Sequence, residues 1–207
     1  MIRNVIFDMG GVLILWDPAR IIQRLGLPAE DGELLRREVF ANAEWVSLDR
    51  GTLSESEALE IFRARLPERL HAAAERCVFW WKEELWPVPG MAELIGELDG
   101  LGYGIYLLSN ATSALHTYFP RIPGSEHFRG GLVSADWKLL KPQPEIYEKL
   151  FSECALRREE CFFIDDAAPN VEGARRIGLP GTVFFRDLKR LRRELRAAGI
   201  PLRESAP

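Results

Sequence analysis

The chain has 207 residues, a net charge of −4 and 47% hydrophobic residues. This length accommodates one substantial core with an inserted subdomain, but not two full-sized domains joined by linkers. The slightly acidic balance indicates no nucleic-acid surface, and no apolar run approaches the length of a membrane span.

The start of the sequence lacks the long apolar segment of a secretory signal. The cysteines, Cys77, Cys154 and Cys161, lie far apart and show neither zinc-site nor disulfide-framework spacing. We therefore expect a cytoplasmic protein with reduced core thiols that binds neither nucleic acid nor membrane.

The first predicted element is a strand that ends at a carboxylate. Residues 5–7 are apolar and favour β structure, and Gly10 and Gly11 interrupt the pattern just after Asp8. In open parallel α/β sheets, ligands bind beyond the carboxyl ends of the strands. Asp8 is therefore a candidate for chemistry, with the capping of a turn as the alternative.

The next convincing strand, residues 104–108, comes much later than a βαβ crossover of about a dozen residues requires. The sequence between them is helical in pattern. Asp17 is a good N-cap for a helix that starts at Pro18, and residues 54–57 match a capping box. We predict a small helical cap inserted into an α/β core. The predicted boundaries are residues 1–15 and 88–207 for the core and 16–87 for the cap.

The end of the predicted cap is rich in large apolar side chains. They are Phe79, Trp80, Trp81, Leu85 and Trp86. We predict one helix here, with most of these side chains packed in the bundle and against the core, and one or two lining a pocket.

From Gly90 onward, helical and strand patterns alternate, which is typical of a parallel sheet. The predicted strands are residues 104–108, 132–133, 161–164 and 182–185. The basic amphipathic segment at residues 186–200 could contact an acidic partner or a membrane, but a docked helix with a solvated outer face is the simpler interpretation. We assign no function to it.

Polar residues follow several of these strands. They are Asp8, Ser109, Asn110, Lys141, Asp165 and Asp166. Each has a structural alternative, as a helix cap or a solvated loop residue. A doubled acid directly after a buried strand, however, concentrates negative charge that a divalent cation can compensate, and oxygen ligands favour Mg²⁺.

With Mg²⁺ bound, the side chains acquire roles by chemical type. Asp8 can attack phosphorus as a carboxylate nucleophile and form an aspartyl-phosphate. Ser109, nearby main-chain N–H groups and Lys141 can hold the phosphoryl oxygens. The metal can bridge Asp8 and the phosphate.

These motifs, FDMGGVL, LLSN, the lysine of KPQPEIY, and FIDDAAPNVEGA, occur in the order and strand context of a known family. The sequence resembles the haloacid dehalogenase-like (HAD) hydrolases, most of which are phosphatases. The resemblance implies a Rossmann-like parallel sheet flanked by helices, with an inserted helical cap. It further implies Asp8 as the nucleophile and Asp166 as a metal ligand, assisted by Asp165 and the carbonyl of Gly10. Phosphate would be bound by Ser109, Asn110 and Lys141.

One position departs from the family pattern. Most family phosphatases carry an acid/base Asp two residues after the nucleophile, where this chain has Gly10. General acid–base catalysis contributes about 10² to 10⁴-fold. The arrangement resembles bacterial sugar-1-phosphate phosphatases, in which Gly also occurs here. Asp17 is the nearest alternative acid in sequence, although capping is its simpler role.

The sequence thus predicts Mg²⁺-dependent hydrolysis of a small phosphorylated metabolite, with a sugar phosphate as one candidate. A 2-haloacid dehalogenase is one alternative, although that class uses no Mg²⁺ and does not resemble the chain at Asp165 and Asp166. A binding protein that has lost turnover is the other, and Gly10 is the feature that favours it. The substrate and the oligomeric state are not encoded in any motif that we can interpret.

Overall fold

The computed structural model describes residues 1–83 and 85–203. Glu84 and residues 204–207, which the predicted boundaries include, lie outside the described residues. The core is a parallel sheet of five strands. They are β1 (Asn4–Phe7), β2 (Gly104–Ser109), β3 (Phe128–Val133), β4 (Cys161–Asp165) and β5 (Gly181–Val183). Their order in the sheet is β3-β2-β1-β4-β5, and the predicted α/β fold is confirmed.

β1 occupies the centre of this sheet. Val5 pairs with Ile105 of β2 on one side and with Phe162 of β4 on the other. Val5, Ile6 and Phe7 are fully buried, as their apolar character predicts. Because the strands are parallel, the residues that follow β1, β2 and β4 emerge at one edge of the sheet.

The segment between β1 and β2 is mostly helical. Its α-helices are α1 (Pro18–Gln23), α2 (Ala29–Leu35), α3 (Ala43–Arg50), α4 (Glu55–Arg65) and α5 (His71–Glu75). The Asp17 carboxylate accepts the main-chain N–H of Arg20 at 3.1 Å, and Ser54 and Glu57 form a reciprocal capping box. Both predicted helix starts are therefore confirmed. The buried side chains of these helices form a hydrophobic cluster separate from those on the sheet.

The aromatic run at the end of this segment does not form one α-helix, so that prediction was wrong. α5 passes into a π-helical turn, Arg76–Trp80, and then a 3₁₀ turn, Trp81–Glu83. A π turn holds an extra residue, which rotates the following side chains out of the α-helical register. Trp81 consequently packs against both the helical cluster and the sheet, while Trp80 is 53% exposed.

Helices cover both faces of the sheet. They are α6 (Met91–Gly100), α7 (Leu115–Tyr118), α8 (Ser134–Trp137), α9 (Pro144–Glu153), α10 (Ala168–Arg176) and α11 (Leu188–Ala197). Val5 and Phe7 share one hydrophobic cluster with α6 and α11, and Ile6 shares another with α9 and α10. This alternation follows from the two-residue period of a strand. The C-terminal amphipathic helix is docked through Leu191 and Leu195, as the simpler interpretation predicted.

Two strands have an end that differs from the prediction by two residues or more. β3 begins at Phe128 rather than at residue 132, because Gly130 and Gly131 hide the strand pattern. A β-carbon at Gly131 would lie 2.6 Å from that of Leu107, so glycine fits the close approach of β2. β5 ends at Val183, because its neighbour β4 ends at Asp165 and offers no further partner.

Cys77 and Cys161 are buried free thiols, whereas Cys154 is only half-buried at the margin of the core. No helix in the described ranges combines the length and hydropathy needed to cross a bilayer. The cytoplasmic location stays a prediction.

Candidate active site

The predicted site residues lie at the carboxyl edge of the sheet. Asp8 follows β1, Ser109 is the last residue of β2, and Asp165 is the last residue of β4. Asp166 follows directly. The parallel register therefore brings together acids that are far apart in sequence, at the edge where α/β folds bind ligands.

Lys141 enters this edge from the loop between α8 and α9. Its ammonium donates hydrogen bonds to Asp8 Oδ1 at 2.7 Å, to Asp165 Oδ2 at 2.6 Å and to the Leu108 carbonyl at 2.8 Å. These three acceptors match its three protons. Lys141 is 4% exposed, so the alternative of a solvated loop lysine was wrong.

The carboxylates of the site differ in how fully they are engaged. Asp165 accepts hydrogen bonds from Lys141, from the Ala167 N–H at 2.8 Å and from Asn170 Nδ2 at 3.1 Å. Asp8 uses only Oδ1 for Lys141, and its Oδ2 accepts no hydrogen bond from a described residue. Asp165 therefore anchors the lysine, whereas Asp8 keeps an oxygen free.

Burial controls the charges of the two most enclosed groups. Removal from water raises the pKa of Asp8 to about 7; Lys141 opposes this shift and Asp165 adds to it. Burial acts to lower the pKa of Lys141, but the charges of Asp165 and Asp8 outweigh it and raise the pKa. Lys141 is therefore a permanent cation, and Asp8 changes charge near neutrality.

The acids have the chemistry and spacing of a divalent-cation site. Carboxylate oxygens of Asp8, Asp165 and Asp166 lie within 4.8 Å of one another. The carbonyl of Gly10 accepts no hydrogen bond from the described chain and lies beside the pocket. A set of oxygen donors with surplus negative charge fits Mg²⁺.

Gly11 makes this cluster possible, a role that sequence analysis missed. Its φ is +76°, and a β-carbon there would overlap the Asp166 carboxylate. Glycine is therefore required here for two reasons: it adopts the positive φ without strain, and it leaves room for the Asp166 carboxylate. The Gly-Gly pair in the sequence was the available signal.

The two polar residues at the end of β2 behave differently. Ser109 is buried, and its hydroxyl has no partner among the described residues. Asn110 is engaged at both ends of its amide, donating to the Lys141 carbonyl at 3.1 Å and accepting from the Lys141 N–H at 2.9 Å. Asn110 thus fixes the loop that carries the lysine.

A pocket lies above these groups, between the sheet and the helices that follow β1. Its floor includes Asp8, Gly10, Lys141 and Asp166. The walls combine a broad apolar surface with polar side chains. The apolar surface is formed by Met9, Trp16, Trp45, Leu48, Val78, Trp81 and Tyr118, and the polar side chains include Asn110, Thr112 and Asn170. Of the aromatic run, Trp81 lines this pocket, in line with the prediction that one or two of those side chains would do so.

Two acids in the walls, Asp49 and Glu55, were missed by sequence analysis. Both lie in helices of the inserted segment, and no local motif distinguishes them from surface acids. Asp17, the acid nearest in sequence, caps α1 and is absent from the pocket lining among the described residues.

The fold and this cluster define an α/β enzyme with an acid-rich site at the sheet edge. The model of the family described as haloacid dehalogenase-like hydrolase matches residues 2–178. The chain therefore belongs to the haloacid dehalogenase-like hydrolases, which confirms the resemblance seen in the sequence.

Individual relatives have low sequence identity to this chain, between 20% and 28% in the three described here. A sesquiterpene phosphatase from Aspergillus oryzae is 28% identical over 182 residues, covering 86% of this chain and 88% of the relative. A HAD family enzyme from Bacteroides thetaiotaomicron, solved with magnesium and inorganic phosphate, is 22% identical with a TM-score of 0.68, covering 92% of this chain and 99% of that one. An L-2-haloacid dehalogenase from Xanthobacter autotrophicus is 20% identical with a TM-score of 0.66, covering 97% and 84%. At these identities the two structures show a shared fold, which hosts different reactions.

Proposed function

We propose that this chain is a Mg²⁺-dependent phosphatase that hydrolyses monoesters of apolar alcohols through an aspartyl-phosphate on Asp8. The observation that carries the proposal is the position of Asp8, which is hydrogen-bonded to Lys141 and lies beside Asp166 on the floor of a pocket with a broad apolar wall surface. The similarity to a sesquiterpene phosphatase supports it.

Asp8 is the nucleophile in this proposal. Lys141 holds Oδ1, so Oδ2 is the oxygen available to attack phosphorus. The new bond from Asp8 to phosphorus forms as the bond from phosphorus to the alcohol oxygen breaks. Water then attacks the phosphorus, releases inorganic phosphate and restores the carboxylate.

Lys141, Ser109 and main-chain N–H groups hold the phosphoryl oxygens. The unpaired Ser109 hydroxyl is a donor in need of an acceptor, and a phosphoryl oxygen supplies one. Asn110 contributes by fixing the Lys141 main chain, and Asp165 by fixing its ammonium. Charge-assisted bonds of this kind stabilise the additional negative charge of the transition state.

Asp8, Asp166 and the Gly10 carbonyl would hold Mg²⁺, with Asp165 behind them. When bound, the ion offsets the repulsion between Asp8 and the phosphate. The excess of carboxylates over Lys141 leaves negative charge for the ion to neutralise.

The walls favour an apolar alcohol over the sugar considered from the sequence. Trp16, Trp45 and Trp81 present aromatic surface to the pocket, and Leu48 and Val78 extend it. Such walls gain free energy by covering hydrocarbon, whereas sugar hydroxyls buried there would lose hydrogen bonds to water.

The proposal is tested by measuring phosphate release from a panel of alkyl, prenyl, aryl and sugar phosphates, with Mg²⁺ and with excess chelator. We expect hydrolysis of the apolar esters only with the metal. Asp8→Asn should abolish turnover, because the amide keeps the shape but is a poor nucleophile. Asp17→Asn is the matched control, since Asn retains capping ability at this site outside the pocket.

Undiminished turnover in chelator would contradict the magnesium assignment. Halide release from a 2-halocarboxylic acid without phosphate release would identify a dehalogenase instead. Phosphate binding without any single-turnover product would favour the binding protein.

A further inference from the structure

The alcohol that leaves a phosphate monoester needs a proton, unless it is stable as an anion. Gly10 has no side chain to supply one. The carboxylates that line the pocket, among the described residues, are Asp8, Asp49, Glu55 and Asp166. Asp8 and Asp166 already have roles in the proposed reaction, which leaves Asp49 and Glu55.

Glu55 is committed to other partners. Its Oε1 accepts the Lys82 ammonium at 2.6 Å and the Thr112 hydroxyl at 3.3 Å. Glu55 is therefore held in place by two donors rather than free to meet the leaving group.

Asp49 has no such partner. Its carboxylate forms no hydrogen bond or ion pair with any residue that the structure describes, although it lines the same pocket as Asp8. A carboxylate without a partner in the same pocket as the nucleophile is unusual, because enclosed carboxylates are normally paired.

The main chain around Asp49 is held firmly against the core. The Asp49 carbonyl accepts the hydroxyl of Ser134, which also accepts the Ala111 N–H at 2.9 Å, just beyond β2. Arg50 donates to Gln143 at 3.3 Å, in the loop that carries Lys141. The end of α3 is thus fixed to the same loops that build the phosphate site.

We propose that Asp49 is the general acid that replaces the missing acid/base of position 10. The inference rests on the proposed phosphatase function. The Asp49 proton moves to the alcohol oxygen as the bond from that oxygen to phosphorus breaks. The resulting Asp49 carboxylate recovers a proton from the water that hydrolyses the acyl phosphate on Asp8, so protons balance over the cycle.

The electrostatic setting suits a proton donor. Desolvation in the pocket raises the pKa of Asp49 to about 8, the charge of Asp8 adds to the shift, and Lys141 opposes it. Tyr118 also lines the pocket, but burial raises the pKa of its hydroxyl above the usual range, which makes it a weaker acid. The other ionisable groups that line the pocket are Glu55 and Asp166. The elements packed against α3 carry further ionisable groups, none of which is in the described pocket lining: Glu57, Glu60, Arg63 and Arg65 of α4, Arg36, Arg37 and Glu38 of the π-helical turn at residues 36–40, and Asp136 of α8.

The test compares two esters in wild type and Asp49→Asn at saturating Mg²⁺. A long-chain alkyl phosphate has a leaving group, the alkoxide, that is unstable as an anion, whereas 4-nitrophenyl phosphate releases 4-nitrophenolate, which is a stable anion. Asp49→Asn should lower kcat/KM for the alkyl ester by about 10² to 10⁴-fold, and for the aryl ester by a far smaller factor. Its activity on the aryl ester also reports that the variant is folded.

The pH profile gives a second readout. Donation requires protonated Asp49, so wild-type kcat/KM for the alkyl ester should fall as pH rises through the Asp49 pKa. Asp49→Asn should lack this fall. Glu55→Gln is the matched control and should change the two esters by the same factor.

Equal losses on both esters in Asp49→Asn, or a selective alkyl loss in Glu55→Gln instead, would overturn the assignment of Asp49 while leaving the phosphatase proposal standing. Failure of the wild type to hydrolyse either ester would overturn both.

Discussion

Among single residues, Lys141 has the largest effect on the charge balance of the site, because it pairs with two carboxylates. It is enclosed with Asp8 and Asp165, and its hydrogen bonds to both carboxylates are short. Breaking a buried ion pair costs about 3–5 kcal/mol, because the remaining charges lose their compensation. The same lysine therefore supports folding as well as the proposed binding of phosphate.

Lys141→Ala should lower the free energy of unfolding by roughly that amount at alkaline pH without metal, where Asp8 is ionised. Removing the lysine raises the Asp8 pKa above the wild-type value of about 7. Asp8 in the variant therefore takes up a proton at a higher pH than in wild type, so the difference in stability should shrink as pH falls toward about 7 and stay constant below it, where Asp8 is protonated in both proteins. Urea unfolding at several pH values measures the difference in the free energy of unfolding between the variant and wild type.

Lys189→Ala on the exposed side of α11 is the control and should leave unfolding nearly unchanged. A Lys141→Ala protein as stable as wild type at alkaline pH would mean that water or backbone relaxation compensates the carboxylates.

At the scale of secondary structure, the end of α3 links the helical segment to the core. Gly51 follows α3 with φ of +74°, and a β-carbon there would overlap the main-chain carbonyl of Ala135. Gly26 has a similar φ of +65°, but open space surrounds its β-carbon position. Substituting each glycine by alanine therefore separates the effect of backbone strain, present at both positions, from that of contact with the core, present only at Gly51.

Gly26→Ala should cost about 1–2 kcal/mol of stability, the usual penalty of an L-residue in this conformation. Gly51→Ala should cost more, because the helix end must also move away from Ala135. That movement displaces Asp49, so the ratio of alkyl to aryl phosphate turnover should fall in Gly51→Ala alone. Denaturant unfolding and the two-ester assay measure both effects. An unchanged ratio in a destabilised Gly51→Ala protein would show that Asp49 keeps its place without this contact.

At the scale of the whole molecule, the pocket lies where two hydrophobic clusters meet. Trp81 packs against both the cluster of the helical segment and that of the sheet, and its ring also contacts Trp16 and Tyr118. The chain leaves and re-enters the core through neighbouring segments, since Leu15 N–H donates to the Trp86 carbonyl at 2.7 Å. One side chain therefore both lines the pocket and joins the two clusters.

Trp81→Ala should lower kcat/KM for a long-chain alkyl phosphate relative to methyl phosphate by about 10- to 100-fold, because the long chain loses its apolar contact. Trp80→Ala is the control, since this neighbouring side chain is 53% exposed and outside the described pocket lining. Kinetics on both esters and thermal unfolding are measured together. If Trp81→Ala lowers stability and leaves the ratio unchanged, the side chain serves packing alone.

Local signals in the sequence were enough to predict much of this architecture. Apolar runs gave the strands, and the caps at Asp17 and Ser54 gave two helix starts, because propensity and capping depend on neighbouring residues. The acids after β1 and β4 indicated the site edge, since parallel strands must end together. The start of β3 and the helical form of the aromatic run were predicted wrongly, because tertiary packing overrode local preference at both places.

Other features were decided by tertiary structure alone. Lys141 meets Asp8 across 133 positions of sequence, and the Asp49 carbonyl meets Ser134 across 85. No local pattern specifies which helical acid turns toward the pocket, because that choice depends on how α3 docks on the loops beyond the sheet. The sequence therefore determined the position of Asp8 at the end of β1. The surroundings of Asp8, including Asp49 and the tryptophans of the pocket walls, form only when the two hydrophobic clusters pack together.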